Sequence, residues 1–322
     1  MHWIIFFPLS YIRSFWLEKK FNLSNQNFSH WLKDHIKFNL IKGVFILLIV
    51  IVIYTLLRKS QTNWWFISFI VTSLIYISLA GLAPIIIFPL FFKFTPLADE
   101  TLKERLKSFM QKVNIEFADF FEVDLSKKTK AVNAAIMGFG KTRRIAFSDT
   151  LLSQFSPEEI ESILGHEAGH LKNRHMLKGI FISVFSLFLF FYLAALLLKF
   201  LPTYFGIVNL SDPSSLPLLA FIFSIQGILI LPIFNSILRS FEFQADVFSL
   251  RHSTSPESLI LALNRLAFIN LIQKKINPVI EALFHSHPSI QKRIDYLQST
   301  MVKIKNNTEP ESLKISGENK NE

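Results

Sequence analysis

Four stretches of this chain are apolar for long enough to cross a bilayer as helices: Phe38 to Leu57, Trp64 to Phe92, Leu177 to Leu201 and Leu216 to Leu238. About twenty residues rising 1.5 Å each cover the roughly 30 Å of hydrocarbon, and a helix satisfies its own backbone hydrogen bonds there. Prolines interrupt the second stretch at Pro84 and Pro89 and the fourth at Pro232, which a spanning helix tolerates where neighbours satisfy the freed carbonyls. Hydrophobic residues make up 51% of the chain, Phe alone fills 35 positions, and the mean hydropathy is +0.37, all high for a soluble protein. A buried soluble core is the competing account. The resulting expectation is an all-α multispan membrane protein whose main partner is the lipid bilayer.

Orientation follows from Lys and Arg near the span ends, because these residues are preferentially retained on the cytoplasmic side. Arg13 to Lys42 and Lys93 to Lys178 are rich in them, whereas Pro202 to Ser215 has none; Arg58 and Lys59 depart from the pattern. Both termini of the four-span unit are therefore expected on the cytoplasmic side. Met1 to Phe15 is apolar but too short to span alone, and reads as an interfacial anchor or the remains of a span. The net charge of +10 is then topology charge: the clusters Lys127-Lys128-Lys130 and Lys141-Arg143-Arg144 lack the aromatic interleaving that suggests nucleic acid, so no nucleic-acid partner is expected. The absence of cysteine excludes disulfides and thiolate metal sites, and no cleavable signal peptide is evident. The expected organisation is an amino-terminal apolar segment (1–37), membrane helices (38–93), a cytoplasmic-side segment (94–175), a membrane hairpin (176–238), a second cytoplasmic segment (239–300) and a polar, aperiodic, disordered tail (301–322).

The segment between the second and third spans carries His166-Glu167-Ala168-Gly169-His170, an HExxH pattern. Residues four apart share a helical face, so both imidazoles can reach one zinc ion about 2 Å away, with Glu167 placed to work on a water at the metal. Ser156-Pro157-Glu158-Glu159 offers an N-cap, a first-turn Pro and a Glu three residues after the Ser, which predicts a helix from about Pro157 to Arg174. Ile160, Ile163, Leu164, Ala168 and Leu171 form its apolar stripe, with the histidines beside it. Two ordinary packed histidines would leave Glu167 beside that stripe without a partner.

A catalytic metal needs a third protein ligand. The chain leaves this helix, crosses the membrane and returns to the same face at about Leu238, where the first acidic residues are Glu242 and Asp246. Their spacing of four puts both carboxylates on one helical face, so Glu242 can bind zinc while Asp246 holds a ligand imidazole from behind. The pair can equally be a cap that neutralises Arg239 and Arg251. His175, five positions after His170, falls outside the ligand face and reads as an interfacial residue at the membrane boundary; His30, His35, His252 and His285 have no ligand spacing. Ser255-Pro256-Glu257 predicts one more helix, from about Pro256 to Phe268.

These residues resemble a known family, the type I CAAX prenyl proteases, which are integral-membrane zinc endopeptidases. Beyond HEAGH, the runs Phe94-Thr95-Pro96-Leu97, Val132-Asn133-Ala134-Ala135 with Gly138, Arg144 through Leu152, Phe241 through Asp246 and Ser286-His287-Pro288-Ser289 follow the family's order, over roughly Glu18 to Leu297. The resemblance implies a helical membrane barrel around a water-filled chamber, one zinc held by His166, His170 and Glu242, and Glu167 as the catalytic base. It also implies Asp246 and His287 among the catalytic residues, with Asn133 and Ala134 contacting substrate. The spacing favours an orienting role for Asp246. The implied substrates are membrane-associated or prenylated peptides, and the implied location is a bacterial cell membrane with the site on its cytoplasmic side. Met1 falls where the family has already run through its first span, and the resemblance leads to the expectation that one or two amino-terminal spans are missing or replaced. A sister group of heat-shock membrane proteases uses similar chemistry for quality control, and a non-catalytic transporter or metal-binding membrane protein is the competing class.

The residues around the expected cleft agree with a protease. Lys130 to Gly138 and Arg144 to Asp149 are short, partly apolar runs joined through Gly138-Phe139-Gly140-Lys141, which predicts a small β-hairpin. An exposed strand edge can hold an extended peptide by backbone hydrogen bonds. Asn133 near that edge offers both a donor and an acceptor, or else simply forms a turn. His287, just before the periodic run Ile290, Ile294, Leu297, reads either as an oxyanion contact or as a structural residue opening a helix.

Overall fold

In the computed structural model, which describes residues 2–138 and 143–308, hydropathy and helix length mark the same four regions as candidate membrane spans: Phe28–Lys59, Trp64–Leu82, His175–Leu197 and Pro213–His252. The chain begins with α1 (His2–Tyr11), α2 (Leu17–Lys20), α3 (Phe28–Lys59) and α4 (Trp64–Leu82). It continues through β1 (Phe94–Pro96), α5 (Glu100–Lys112), β2 (Asp119–Val123), β3 (Ala134–Met137), β4 (Arg144–Ser148), α6 (Asp149–Leu152) and α7 (Pro157–Lys172). Then come α8 (His175–Leu197), α9 (Leu201–Tyr204), α10 (Leu216–His252), α11 (Ser258–Ile269), α12 (Pro278–Phe284) and α13 (Ile290–Thr308). The second apolar stretch does not remain α-helical to Phe92. Pro84 and Pro89 lack the N–H that the ladder needs, and after Leu82 the chain passes through a π turn at Ala83–Ile87 and a 3₁₀ turn at Phe88–Leu90. Pro232, by contrast, sits inside an uninterrupted α10.

The chain divides into two compact units, one of Met1–Phe94, Val123–Lys130 and Met176–Ser236, the other of Thr95–Glu122, Ala131–His175 and Ile237–Glu322. In the first, Ile53, Tyr54, Leu57, Trp64, Phe191, Leu218 and Ile222 form a core between α3, α4, α8 and the first half of α10. Tyr54 and Ser215 share a buried hydrogen bond of 2.9 Å there. Many remaining apolar side chains of these helices, among them Leu47, Leu74, Phe181 and Leu229, point outward, the distribution that lipid rather than water tolerates. The amino-terminal segment is helical and is held by Trp31, whose ring lies 5.4 to 5.8 Å from those of Phe15 and Tyr11.

The second unit contains a four-stranded sheet in the order β1-β2-β4-β3. Strands β3 and β4 pair antiparallel, Ala134 opposite Phe147 and Met137 opposite Arg144; the residues 139–142 expected to make the turn lie outside those described. The sheet is larger than the expected hairpin, because β1 is three residues long and ends in Pro, and β2 carries Asp and Glu, so neither announces itself by alternation. Leu106, Met110, Phe120, Phe147, Leu151, Ile160, Leu164 and Ala168 are packed between this sheet, α5 and α7. α11 starts at Ser258, two residues later than expected, because Pro256 and Glu257 form a turn ahead of it. Of the tail expected to be disordered over 301–322, residues 301–308 instead continue α13 to Thr308, and 309–322 lie outside the described residues. Met301 and Ile304 extend the stripe Ile290, Ile294, Leu297 and pack against the same core, and that burial holds the helix.

Candidate metal centre

α7 is set at its start by a capping box: Ser156 Oγ accepts the Glu159 N–H at 3.3 Å, and the Glu159 carboxylate accepts the Ser156 N–H at 2.8 Å. Its buried face brings it against α10 through small residues. A Cβ on Gly169 would lie 2.8 Å from the Ala245 backbone, and one on Gly165 would lie 2.8 Å from Ser249 Oγ. Only glycine permits this approach, and the approach brings Glu242 of α10 to the histidines of α7.

The three candidate ligands converge. His166 Nε2 and His170 Nε2 are 3.1 Å apart, and the Glu242 carboxylate oxygens lie 3.5 Å from each. Ligands about 2.1 Å from a tetrahedral zinc are separated by about 3.4 Å, so the donor set and its spacing fit such an ion. Asp246, fully buried, accepts from His166 Nδ1 at 2.8 Å and so directs that ring's Nε2 inward. The cation beside the acidic pair is Arg293, which donates to Asp246 through Nε at 2.8 Å and Nη2 at 2.6 Å. Arg239 is engaged elsewhere, with the carbonyls of Glu281 and His285.

Two residues of this centre are not legible in the sequence. Arg293 is contributed by α13, and its partner Asp246 is 47 positions away, beyond any local periodicity. A basic residue following the Ser286-His287-Pro288 run is its only available signal. His175, expected at the membrane boundary, is in fact buried, with Nδ1 2.9 Å from His170 Nδ1. On an unbroken helix five residues turn through about 500°, leaving His175 about 140° off the His170 direction. Arg174 adopts φ 55°, the left-handed conformation that ends α7, so the ring folds back.

Burial dominates the electrostatics of the helix. It pushes the Glu167 carboxyl up to about 7, with Glu242 adding to the rise and His166 opposing it. Among the described residues nothing hydrogen-bonds that carboxyl. Burial, then the neighbouring His166 and His175, pushes His170 down to about 3, so its ring is neutral and free to ligate. For His166 burial also favours the neutral form, but the hydrogen bond and charge of Asp246 outweigh it and leave the pKa above its ordinary value.

His287 occupies the loop between α12 and α13, exposed, with Nε2 3.3 Å from a Glu242 oxygen. Asn133 is exposed at the start of β3, its backbone N–H held by Ser148 Oγ at 3.0 Å and its carbonyl by the Ser148 N–H at 2.9 Å. Ala134 is the first residue of β3, which lies at the edge of the sheet and packs beside α7.

The pattern of peptidase family M48 matches residues 96–301. The chain belongs to that family. Residues 1–93 match the CAAX prenyl protease N-terminal pattern, described as five membrane helices; within that span, α3 and α4 are the candidate spans among the described residues. The CAAX prenyl protease 1 homolog of Oryza sativa subsp. japonica is 31% identical, over 93% of this chain and 71% of the relative. The uncharacterized metalloprotease YhfN of Bacillus subtilis (strain 168) is 29% identical, over 92% and 70%. The crystal structure of S. mikatae Ste24p superposes with a TM-score of 0.81 at 26% identity, covering 91% of this chain and 72% of that one. This M48 protein is therefore a membrane metalloendopeptidase of CAAX-protease type with a mostly helical fold.

Proposed function

We propose that the metal is zinc, that His166, His170 and Glu242 hold it, and that the substrates are membrane-associated or prenylated-type peptides. The observation that carries the reading is the His, His, Glu donor set at 3.1 to 3.5 Å with Glu167 beside it on the same helix. A bound zinc would supply Lewis-acid polarisation of the scissile carbonyl and acidify a water molecule. Glu167 takes a proton from the attacking water and delivers it to the leaving amine, a role suited to a carboxyl whose pKa burial has raised to about 7. Asp246 orients His166, and His287, exposed beside Glu242, donates to the oxyanion. Asn133 precedes and Ala134 opens the edge strand on which an extended peptide would lie. The Lys and Arg distribution supports a cytoplasmic site.

Glu167→Gln tests the chemistry, since it preserves size and touches no proposed ligand. Zinc content and folding are expected to survive while hydrolysis falls at least about a hundredfold. Parent and variant are compared at equal zinc occupancy on prenylated CAAX peptides, unmodified peptides and an unfolded membrane protein. Equal cleavage by the two would remove Glu167 as the base. Cleavage confined to the prenylated peptide would support the proposed substrate class, and preference for the unfolded protein would replace it with quality control.

A further inference from the structure

His170 is backed by a chain of polar groups that ends in an amide. His170 Nδ1 is 2.9 Å from His175 Nδ1, and His175 Nε2 is 3.3 Å from Gln244 Oε1. Gln244 Nε2 in turn donates to Ser240 Oγ at 3.1 Å, which sets the amide with its oxygen toward the imidazole. The His175 ring is clamped by Phe241, stacked at 4.2 Å and 5°. Four residues of one α10 segment, Ser240, Phe241, Glu242 and Gln244, thus contribute the anchor of the amide, the clamp, the candidate ligand and the acceptor.

We propose that His175 and Gln244 are positioning residues that fix the tautomer of His170; the inference rests on the reading of His170 as a metal ligand. An amide oxygen only accepts, so His175 Nε2 carries the hydrogen. The Nδ1 of a neutral His175 is then a lone pair, which accepts the hydrogen of His170 Nδ1. His170 Nε2 is left with its lone pair facing His166 and Glu242. Reversing the amide reverses each step and puts a hydrogen on the nitrogen that must ligate. The relay does for His170, with neutral groups, what Asp246 does for His166 with a charge.

The test measures zinc affinity of the full chain in detergent by competition with a chromogenic chelator, together with thermal unfolding of the metal-free forms. His175→Phe keeps an aromatic ring for the stack on Phe241 and removes the acceptor. It is expected to raise the zinc dissociation constant by about tenfold or more while the metal-free unfolding temperature stays near the parent's. Gln244→Leu, at an exposed position that does not threaten folding, is expected to raise it by a smaller factor, and Gln244→Glu, which keeps an acceptor oxygen, to remain near the parent. Parental affinity in both His175→Phe and Gln244→Leu, with zinc lost from His170→Ala, overturns the relay alone. Equal weakening in Gln244→Leu and Gln244→Glu also overturns it, because the acceptor would then be irrelevant. Full zinc binding by His170→Ala would overturn the metal-site reading and the relay with it.

Discussion

His166 and His170 lie one turn apart on α7, yet their outer nitrogens meet opposite chemistry. His166 Nδ1 faces the buried carboxylate of Asp246, clamped in turn by the Arg293 guanidinium, and its pKa is raised. His170 Nδ1 faces another imidazole backed by a neutral amide, and its pKa is pushed down to about 3, first by burial. The difference teaches how a candidate metal centre can distribute charge. A divalent cation and Arg293 would balance the carboxylates of Glu167, Glu242 and Asp246, leaving no net charge out of water. Behind His170 the fold supplies only an acceptor, and it does so from Gln244, whose exposed position adds no charge to the buried set.

The largest expected effect falls on the charged side. Arg293→Met would leave Asp246 buried without its cation, and is expected to lower unfolding stability by about 3 to 5 kcal/mol, measured by denaturant titration in detergent. A loss no greater than that of Gln244→Leu would erase the contrast between the two supports. Asp246→Asn leaves a side chain that can still hydrogen-bond without the charge. Activity is expected to fall about 10- to 100-fold with most of the zinc retained, read by turnover alongside metal analysis; unchanged turnover would show that His166 does not need a charged support.

Gly169 serves both sides at once. Gly169→Ala places a Cβ 2.8 Å from the Ala245 backbone and is expected to cost about 1 to 3 kcal/mol, and to weaken zinc binding by shifting Glu242 away from both rings. Parental affinity in that variant would mean that the helices can separate without moving the ligands. The subtlest effect is a pH dependence. The folded pKa of Glu167, about 7, lies above its unfolded value near 4.5, so the metal-free folded state holds a proton that the unfolded chain has released. That contribution is complete below pH 4.5 and is lost as pH rises through about 7. The parent is therefore expected to lose stability relative to Glu167→Gln across this window, read as unfolding temperatures at a series of pH values. His170 acts with the opposite sign, but in both proteins alike. A constant gap across the window from pH 4.5 to about 7 would count against a carboxyl whose pKa desolvation raises.

Local pattern determined a good deal of this protein. The apolar stretches mark all four candidate spans, because bilayer thickness sets a length that sequence must meet. The Ser156 capping box and the apolar stripe mark α7, and spacing of four puts His166 with His170 and Glu242 with Asp246 on shared faces. What periodicity could not decide lies where the chain breaks it or pairs across long separations. Prolines end α4 at Leu82, a left-handed Arg174 turns His175 back onto His170, and Arg293 finds Asp246 from another helix. The approach of α7 to α10 at Gly165 and Gly169 is likewise a fact of packing. Helical periodicity specifies which residues share a face, but only the packed fold specifies which faces meet, and both supports behind the two histidines depend on that meeting.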